Sequence, residues 1–477
     1  MNPEPQTVPT LFLNPPSYQG FDGGAGARYQ ARREVRSFWY PTWLAQPAAL
    51  IHNSRLIDAP PNALTANDVL AAARDYSNIV VHTSSPTLKG DARLAEAIKN
   101  QKPDTKVGFV GAQAAVLPDA TLAASEAIDW VGRKEFDYTC LEVAQGKPLR
   151  GIDGLSYRNG DRIIHNPERN LIQNFDELPS VMEVYKRDLD IRKYFIGYLK
   201  HPYISHYTGR GCPAQCTFCL WPQTVGGHRY RARTPESVSS EMRRAQSLFP
   251  EVEEFFFDDD TFTAYQPRAR EIARQLGKTG ITWSCNARAN VSFDTLKVMR
   301  ENGLRLLLVG YESGNQAILD NIKKGIRIAE VEEFTKNCHR LGITIHGTFI
   351  LGLPGETRET IRDTIEFAKK LDIFSIQVSL AAPYPGTELY QQALAHGWLI
   401  SDSDLIGEEG QQLAALQYQD LSKEEIFSAV ETFYKRYYFR AKPIGRILWT
   451  MLKDPDVMKR RLREGVEFIQ FLRLRNV

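Results

Sequence analysis

Three of the chain's six cysteines fall within eight residues, in the run Gly209-Arg-Gly-Cys212-Pro-Ala-Gln-Cys216-Thr-Phe-Cys219. Thiolates separated by three and then two residues can take three corners of a cubane iron–sulfur cluster and leave its fourth iron open. An open iron can accept the amino and carboxylate groups of S-adenosylmethionine (SAM) and pass one electron to its sulfonium. The bond that then breaks gives a 5′-deoxyadenosyl radical. The competing chemistry is a structural zinc site with His228, nine residues beyond Cys219, as fourth ligand. Structural zinc ligands come mostly as two separated couples with short internal spacing, so this spacing favours the cluster. Cys140, Cys285 and Cys338 are scattered and read as buried thiols. Six cysteines so distributed do not make a disulfide framework and point to a reducing compartment. His206 and His346, near strand ends, are candidates to face the same site.

The elements that must position these thiols form a series. Residues 203–207, 254–257, 281–284, 304–309, 343–350 and 375–379 read as strands, separated by helical spacing over 235–247, 269–276, 293–301, 328–341 and 360–371. Six such βα units predict a partial TIM barrel, whose chemistry belongs at the C-terminal ends of its strands. The cysteine run directly follows the first strand. An earlier set of short apolar runs, 11–13, 55–57, 79–81, 107–110 and 128–131, alternates with helical stretches such as 67–76 and 91–99. That is the pattern of βαβ units on a parallel sheet, which binds ligands at the carboxyl ends of its strands. An Arg-Asn-Gly-Asp turn at 158–161 and a stretch over 167–179 interrupt the rhythm and read as a connector with a small hairpin. Beyond residue 400 the strands stop, and 422–438 and 443–474 read as helical. The expected fold is α/β: a doubly wound domain over 1–150, a connector over 151–200, a (βα)₆ partial barrel over 201–400, and a helical C-terminal region over 401–477.

A chain of 477 residues exceeds one ordinary core, and 43% apolar with 24% charged residues is a globular balance. No secretory pattern opens the sequence and no run has membrane-spanning length, so a cytoplasmic enzyme is expected. The net charge of +2 hides an asymmetry: residues 435–477 carry twelve Lys and Arg against four Asp and Glu. A basic tail on a mildly acidic body suggests attraction to an anionic surface, possible at the inner membrane face.

Taken in order, the motifs resemble those of the radical SAM superfamily in its cobalamin-associated class. The likeness rests on Cys212, Cys216 and Cys219, on Phe257-Asp-Asp-Asp-Thr-Phe262, on Gly310-Tyr-Glu-Ser-Gly314, on Gly352-Leu-Pro-Gly-Glu356 and on Pro383-Tyr-Pro-Gly-Thr387. It implies a [4Fe–4S] cluster on the three cysteines and SAM beside it. Asp258, Asp259 and Asp260 occupy the position that binds the SAM amino group, with a solvated acidic turn as the plain alternative. Glu312 and Ser313 match the ribose-binding position, and Arg288 could pair bidentately with the SAM carboxylate or serve a structural ion pair. Gly352 would let backbone approach the adenine. The first third resembles a cobalamin-binding domain, with Ser84 and Gly111 at cradling positions. Where one variant supplies an axial histidine in Asp-x-His-x-x-Gly, this chain reads Asp58-Ala-Pro60-Pro-Asn-Ala63, so either cobalamin is held base-off or the domain is a degenerate one kept for substrate or structure.

Phe21-Asp-Gly-Gly-Ala-Gly-Ala-Arg28 and Ser37-Phe-Trp-Tyr-Pro-Thr-Trp-Leu44 are similar to the hopanoid-biosynthesis-associated members of the class. That likeness implies a lipid-linked hopanoid substrate whose sugar head group is contracted to a cyclitol ether. It also implies an electron donor such as flavodoxin or ferredoxin, peripheral membrane contact, and no nucleic-acid partner. The alternatives are a cobalamin-dependent radical C-methyltransferase and a non-catalytic iron–sulfur or zinc scaffold.

Overall fold

The computed structural model describes residues 7–16, 34–400, 405–407, 410–453 and 455–474. The motif at 21–28 lies outside them. Strands β1 (Thr10–Asn14), β2 (Ser54–Asp58), β3 (Asn78–His82), β4 (Lys106–Val110) and β5 (Trp130–Gly132) pair in parallel in the order β2-β1-β3-β4-β5. Leu11, Leu13, Ile79 and Val81 face one core, while Phe12 and Val80 face the other. Strands covered on both faces read as unbroken apolar runs, and these do. The Arg-Asn-Gly-Asp turn joins β6 (Leu155–Asn159) to β7 (Arg162–His165), and this hairpin pairs antiparallel with β5. Part of the stretch expected as a connector therefore completes the first sheet.

Next come β8 (Tyr203–His206) and the two-residue strands β9 (Gly209–Arg210) and β10 (Arg231–Ala232), which pair with each other and bracket the cysteine run. Then β11 (Glu254–Phe257), β12 (Trp283–Ala287), β13 (Leu304–Glu312), β14 (Thr344–Leu351) and β15 (Ser375–Leu380) extend a six-stranded parallel half-barrel in the order β8-β11-β12-β13-β14-β15. Its helices start where side-chain caps demand: Thr234 accepts from the Ser237 N–H with Pro235 at the first position, and Ser292 accepts from Thr295.

A half-barrel has an open side between its edge strands, and here the chain's own N-terminal segment fills it. The Phe38 carbonyl accepts from Tyr203 Oη of β8 at 2.8 Å, and Tyr40 Oη donates to the Tyr203 carbonyl at 2.7 Å. On the other side Tyr434 Oη donates to Glu34 and accepts from the Val378 N–H of β15 at 2.8 Å. One core runs from the first sheet through this segment into the barrel. At the C-terminus the expected 443–474 helix is two helices, Ala441–Lys453 and Pro455–Leu474. Proline lacks an N–H and suits a helix start, so Pro455 opens the second. Among the described residues no helix is long and apolar enough to cross a membrane.

Candidate active site

The cysteine loop leaves β9 through Gly211, whose φ is +88° and whose added Cβ would sit 2.4 Å from the Arg229 carbonyl. Only glycine fits that approach. Gln223 Nε2 then gathers the loop by donating to the carbonyls of Cys216, Thr217 and Cys219 at 3.2, 3.2 and 2.8 Å. Its Oε1 accepts from the Glu388 N–H at 2.8 Å, so the loop is tied to the 383–387 motif. The His228 ring, a possible zinc ligand by spacing, has Nδ1 3.0 Å from the Ala214 carbonyl and supports the loop backbone. Among the described residues no three His, Cys, Asp or Glu side chains converge on one metal-ion position. A zinc ion needs such a point, whereas in a cubane each thiolate takes a different iron. Burial pushes the thiols of Cys212 and Cys219 above their ordinary range, and Asp260 raises both further. Metal binding must therefore displace their protons.

All three cysteines line one cavity of about 330 Å³ at the carboxyl ends of the barrel strands. Four charged side chains share its wall: Asp260, Arg288, Glu312 and Lys324. Arg288 lies with Nη1 3.7 Å from Cys216 Sγ and donates through Nη2 to the Lys324 carbonyl. Lys324 Nζ is 2.6 Å from Glu312 Oε1, and both side chains are buried. Glu312 adopts φ 64° beside a register shift between Gly310 and Glu312. A non-glycine residue held there costs about 1 kcal/mol or more, and such outliers cluster at functional sites. A Cβ on Gly310 would fall 2.3 Å from Glu312 Oε1, so the glycine makes room for the folded-back carboxylate. The remaining walls are neutral: Trp39 of the threading segment, Leu308, Phe349, and Thr348, Gln377 and Ser379 from β14 and β15.

Several expected contacts are placed elsewhere. The three adjacent aspartates follow the end of β11 in a turn, and each meets a different partner. Asp260 lines the cavity and accepts from the Gly211 N–H at 3.1 Å. Asp259 accepts from Thr208 N and Oγ1 and from Tyr230 Oη at 2.5, 2.6 and 2.7 Å, which anchors the stem of the cysteine loop. Asp258 accepts from Asn286 Nδ2 at 3.0 Å. Ser313 turns away from Glu312 and meets Thr364 Oγ1 at 3.1 Å. Gly352, at φ +83°, donates to buried Glu356 at 2.6 Å and lies under Ile426, so it closes a turn and does not line the cavity. His346 stacks on Tyr198 at 4.0 Å, and His206 is buried, with burial lowering its pKa to about 3. Neither lines the cavity. Lys324, Trp39, Gln223 and Asn286 escaped the sequence reading. Lys324 follows Glu312 by twelve residues, across the short helix Gln316–Asn321, and Trp39 is far in sequence from every barrel strand.

The carboxyl ends of the first sheet meet the barrel across a second crevice. Ser84, Ser85, Ala112, Gln113 and Val116 face Leu220, Tyr384 and Pro385 across a gap of about 10 Å³. Gly111, at φ +114°, passes so close to Thr83 that a Cβ would lie 2.5 Å from its carbonyl. Asp58, in the loop without the histidine, accepts from Asn14 Nδ2 and Tyr194 Oη, both at 2.7 Å. The two parts are locked by buried ion pairs: Arg210 meets Asp137 at 2.6 and 3.0 Å, and Arg231 meets Glu135 at 2.8 Å through both nitrogens. Arg210 also stacks on Trp43, 4.5 Å from the ring centre.

Residues 207–368 match the profile of the Radical SAM superfamily. An uncharacterized methyltransferase of Pyrococcus horikoshii is 32% identical over 78% of this chain and 82% of its own length. The radical S-adenosylmethionine methyltransferase TsrM from Kitasatospora setae, solved with tryptophan substrate and a SAM analogue, superposes with a TM-score of 0.68 at 15% identity over 89% of this chain and 88% of its own. The cobalamin-dependent S-adenosylmethionine radical enzyme OxsB, solved with aqua-cobalamin and S-adenosylmethionine, gives a TM-score of 0.70 at 15% identity over 97% of this chain and 72% of its own. The likeness to these structures is one of fold.

Proposed function

The chain belongs to the radical SAM superfamily, and we propose that it is a cobalamin-dependent methyltransferase that places a methyl group on a carbon of a small-molecule substrate. The observation that carries this reading is the convergence of three thiols and four charged side chains on one cavity, next to a doubly wound sheet. The methyltransferase named in the 32%-identical relative, and the cobalamin bound in the OxsB structure, support it.

The residues fit the groups such an enzyme needs. Three thiols on one wall suit a [4Fe–4S] cluster with one open iron, and the paired charges around it suit zwitterionic SAM. When bound, these groups supply one-electron chemistry and cobalamin supplies methyl carriage. Arg288 and Lys324 offer cations to the SAM carboxylate, while Asp260 and Glu312 offer acceptors to its amino and ribose groups. Trp39, Leu308 and Phe349 exclude water, and Thr348, Gln377 and Ser379 leave hydrogen-bonding groups for the substrate. Ser84 and Gln113 offer polar groups to a corrin, though the gap of about 10 Å³ requires the two faces to part first. No histidine at the Asp58 loop would ligate it. A low-potential donor such as flavodoxin or ferredoxin supplies the electron.

A second reading is rearrangement of a lipid-linked hopanoid head group. Its support is that the 37–44 motif threads the barrel, putting Trp39 on the cavity and Trp43 against Trp221 at 5.5 Å. Products separate the two without knowing the substrate. Anaerobically reconstituted protein is given SAM, a reductant and cobalamin. Methyl transfer predicts cobalamin-dependent S-adenosylhomocysteine together with 5′-deoxyadenosine, and a base-off spectrum unchanged by replacing His52 or His82. 5′-Deoxyadenosine alone, indifferent to cobalamin, favours rearrangement. Cys216→Ala should abolish both products while the protein stays folded; one tightly bound zinc and no iron-dependent turnover would overturn both.

A further inference from the structure

Large apolar side chains are exposed singly at Val8, Leu117, Tyr265 and Leu394, but they concentrate in the last two helices. In Ala441–Lys453, Ile444, Leu448 and Leu452 recur at every fourth residue and are 43%, 53% and 80% exposed. In Pro455–Leu474, Leu462, Val466 and Ile469 form a second stripe, each more than half exposed. Scattered exposed apolar residues need no explanation, whereas continuous stripes mark a surface that meets something. Other positions of the same helices hold the protein: Phe471, across the helix from the second stripe, is buried together with Leu472 at the stripe's edge, and Arg446 donates to the Ile373 carbonyl at 2.9 Å.

The charges decide what meets the stripes. Arg460 and Arg461 both pair with buried Glu464 and lie near Phe195 and Phe374, so these two belong to the packing. Arg463 pairs with Glu467 at 3.7 Å and lies over Phe195 at 5.0 Å, so it too faces the packing. On the exposed side, Lys459 follows the edge of the second stripe and Arg473 continues it by helical spacing. A second copy would bring the same positive charge to the interface, whereas an anionic lipid surface complements it. Exposed Trp449, 61% accessible, suits the level of lipid headgroups. We propose that these two helices lie on an anionic bilayer with both apolar stripes dipped into the headgroup boundary, and that this docking is reversible. The docking is independent of which reaction the cavity performs.

The full-length reconstituted protein is floated with phosphatidylcholine vesicles, with and without phosphatidylglycerol. It is expected to float with the anionic vesicles about tenfold more strongly than with the neutral ones, and to be released by high salt. Leu448→Gln with Leu452→Gln, or Leu462→Gln with Val466→Gln, should lower that binding about tenfold, with melting temperature and SAM cleavage unchanged. Lys459→Glu with Arg473→Glu should remove the preference for anionic lipid. Flotation indifferent to lipid charge, no flotation at all, or a dimer in light scattering that the leucine variants abolish would each overturn the proposal, the last in favour of a second copy.

Discussion

Lys324 is the residue whose removal discriminates best between a structural and a ligand-facing charge pair. It lies 2.6 Å from Glu312, both are buried, and both line the cavity with the thiols. Breaking one partner of a buried pair strands the other and costs about 3–5 kcal/mol, whereas replacing both by apolar residues is often nearly neutral. Lys324→Met should therefore lower the melting temperature, and Lys324→Met with Glu312→Leu should restore most of it. SAM affinity should fall in both variants, by tenfold or more at about 1.4 kcal/mol per decade. Recovery of SAM binding along with stability in the double variant would show that the pair only holds the fold. The same pairing explains Gly310: with a Cβ 2.3 Å from Glu312 Oε1, alanine there cannot coexist with the folded-back carboxylate.

At the scale of elements, several turns and helices are closed by carboxyl groups that have left water. Asp58 at the end of β2, Asp91 in the helix Leu88–Gln101 and Glu356 in the turn after β14 are pushed up by burial to about 7, 7 and 8. Their hydrogen bonds from Asn14 and Tyr194, from Thr83 and Thr87, and from the Gly352 and Leu353 N–H groups only partly oppose this. An unfolded chain releases such protons near pH 4, while these native groups keep theirs to about pH 7–8. The native state thus binds more protons in that window. The stability they contribute is full below about pH 4, falls as pH rises from there, and is lost by about pH 7–8. Asp58→Asn, Asp91→Asn and Glu356→Gln together should flatten the dependence of melting temperature on pH between about 5 and 8, relative to the parent chain. An unchanged slope would mean that other groups set it.

For the whole molecule, the joint between the two sheets is the decisive feature. Arg210 and Arg231 leave the strands that bracket the cysteine loop and enter Asp137 and Glu135 of the first part, with side chains 1–5% exposed. Arg210→Met should strand Asp137 and cost about 3–5 kcal/mol. Because Arg210 is two residues from Cys212, the loss should also reach the site. Iron retained after reconstitution should fall in this variant but not in Arg244→Met, whose pair with Glu183 is exposed. Equal iron in both would separate the joint from cluster loading. On the proposed function, the crevice beside this joint is also where the 112–116 helix and the 383–387 loop would part to admit a corrin.

Local sequence determined the strand and helix order, because apolar runs and caps are properties of neighbouring residues. It also determined the cysteine loop, where three thiols and their glycines act within eleven positions. Phase was less legible: β12 begins at Trp283, two residues later than the apolar pattern suggested, because the Trp283 N–H pairs with the Gly303 carbonyl across the sheet. Register of that kind is decided between strands and leaves no mark on either one alone. Likewise, Asp258–Asp260 read as one acidic patch, yet in the turn after β11 each meets a different partner from another part of the chain. Trp39 and Lys324 could be assigned only by the tertiary structure. Trp39 closes the half-barrel's open side from the N-terminus, a contact between distant segments, while Lys324 folds back over the helix Gln316–Asn321 to Glu312, a reach that its spacing alone does not show.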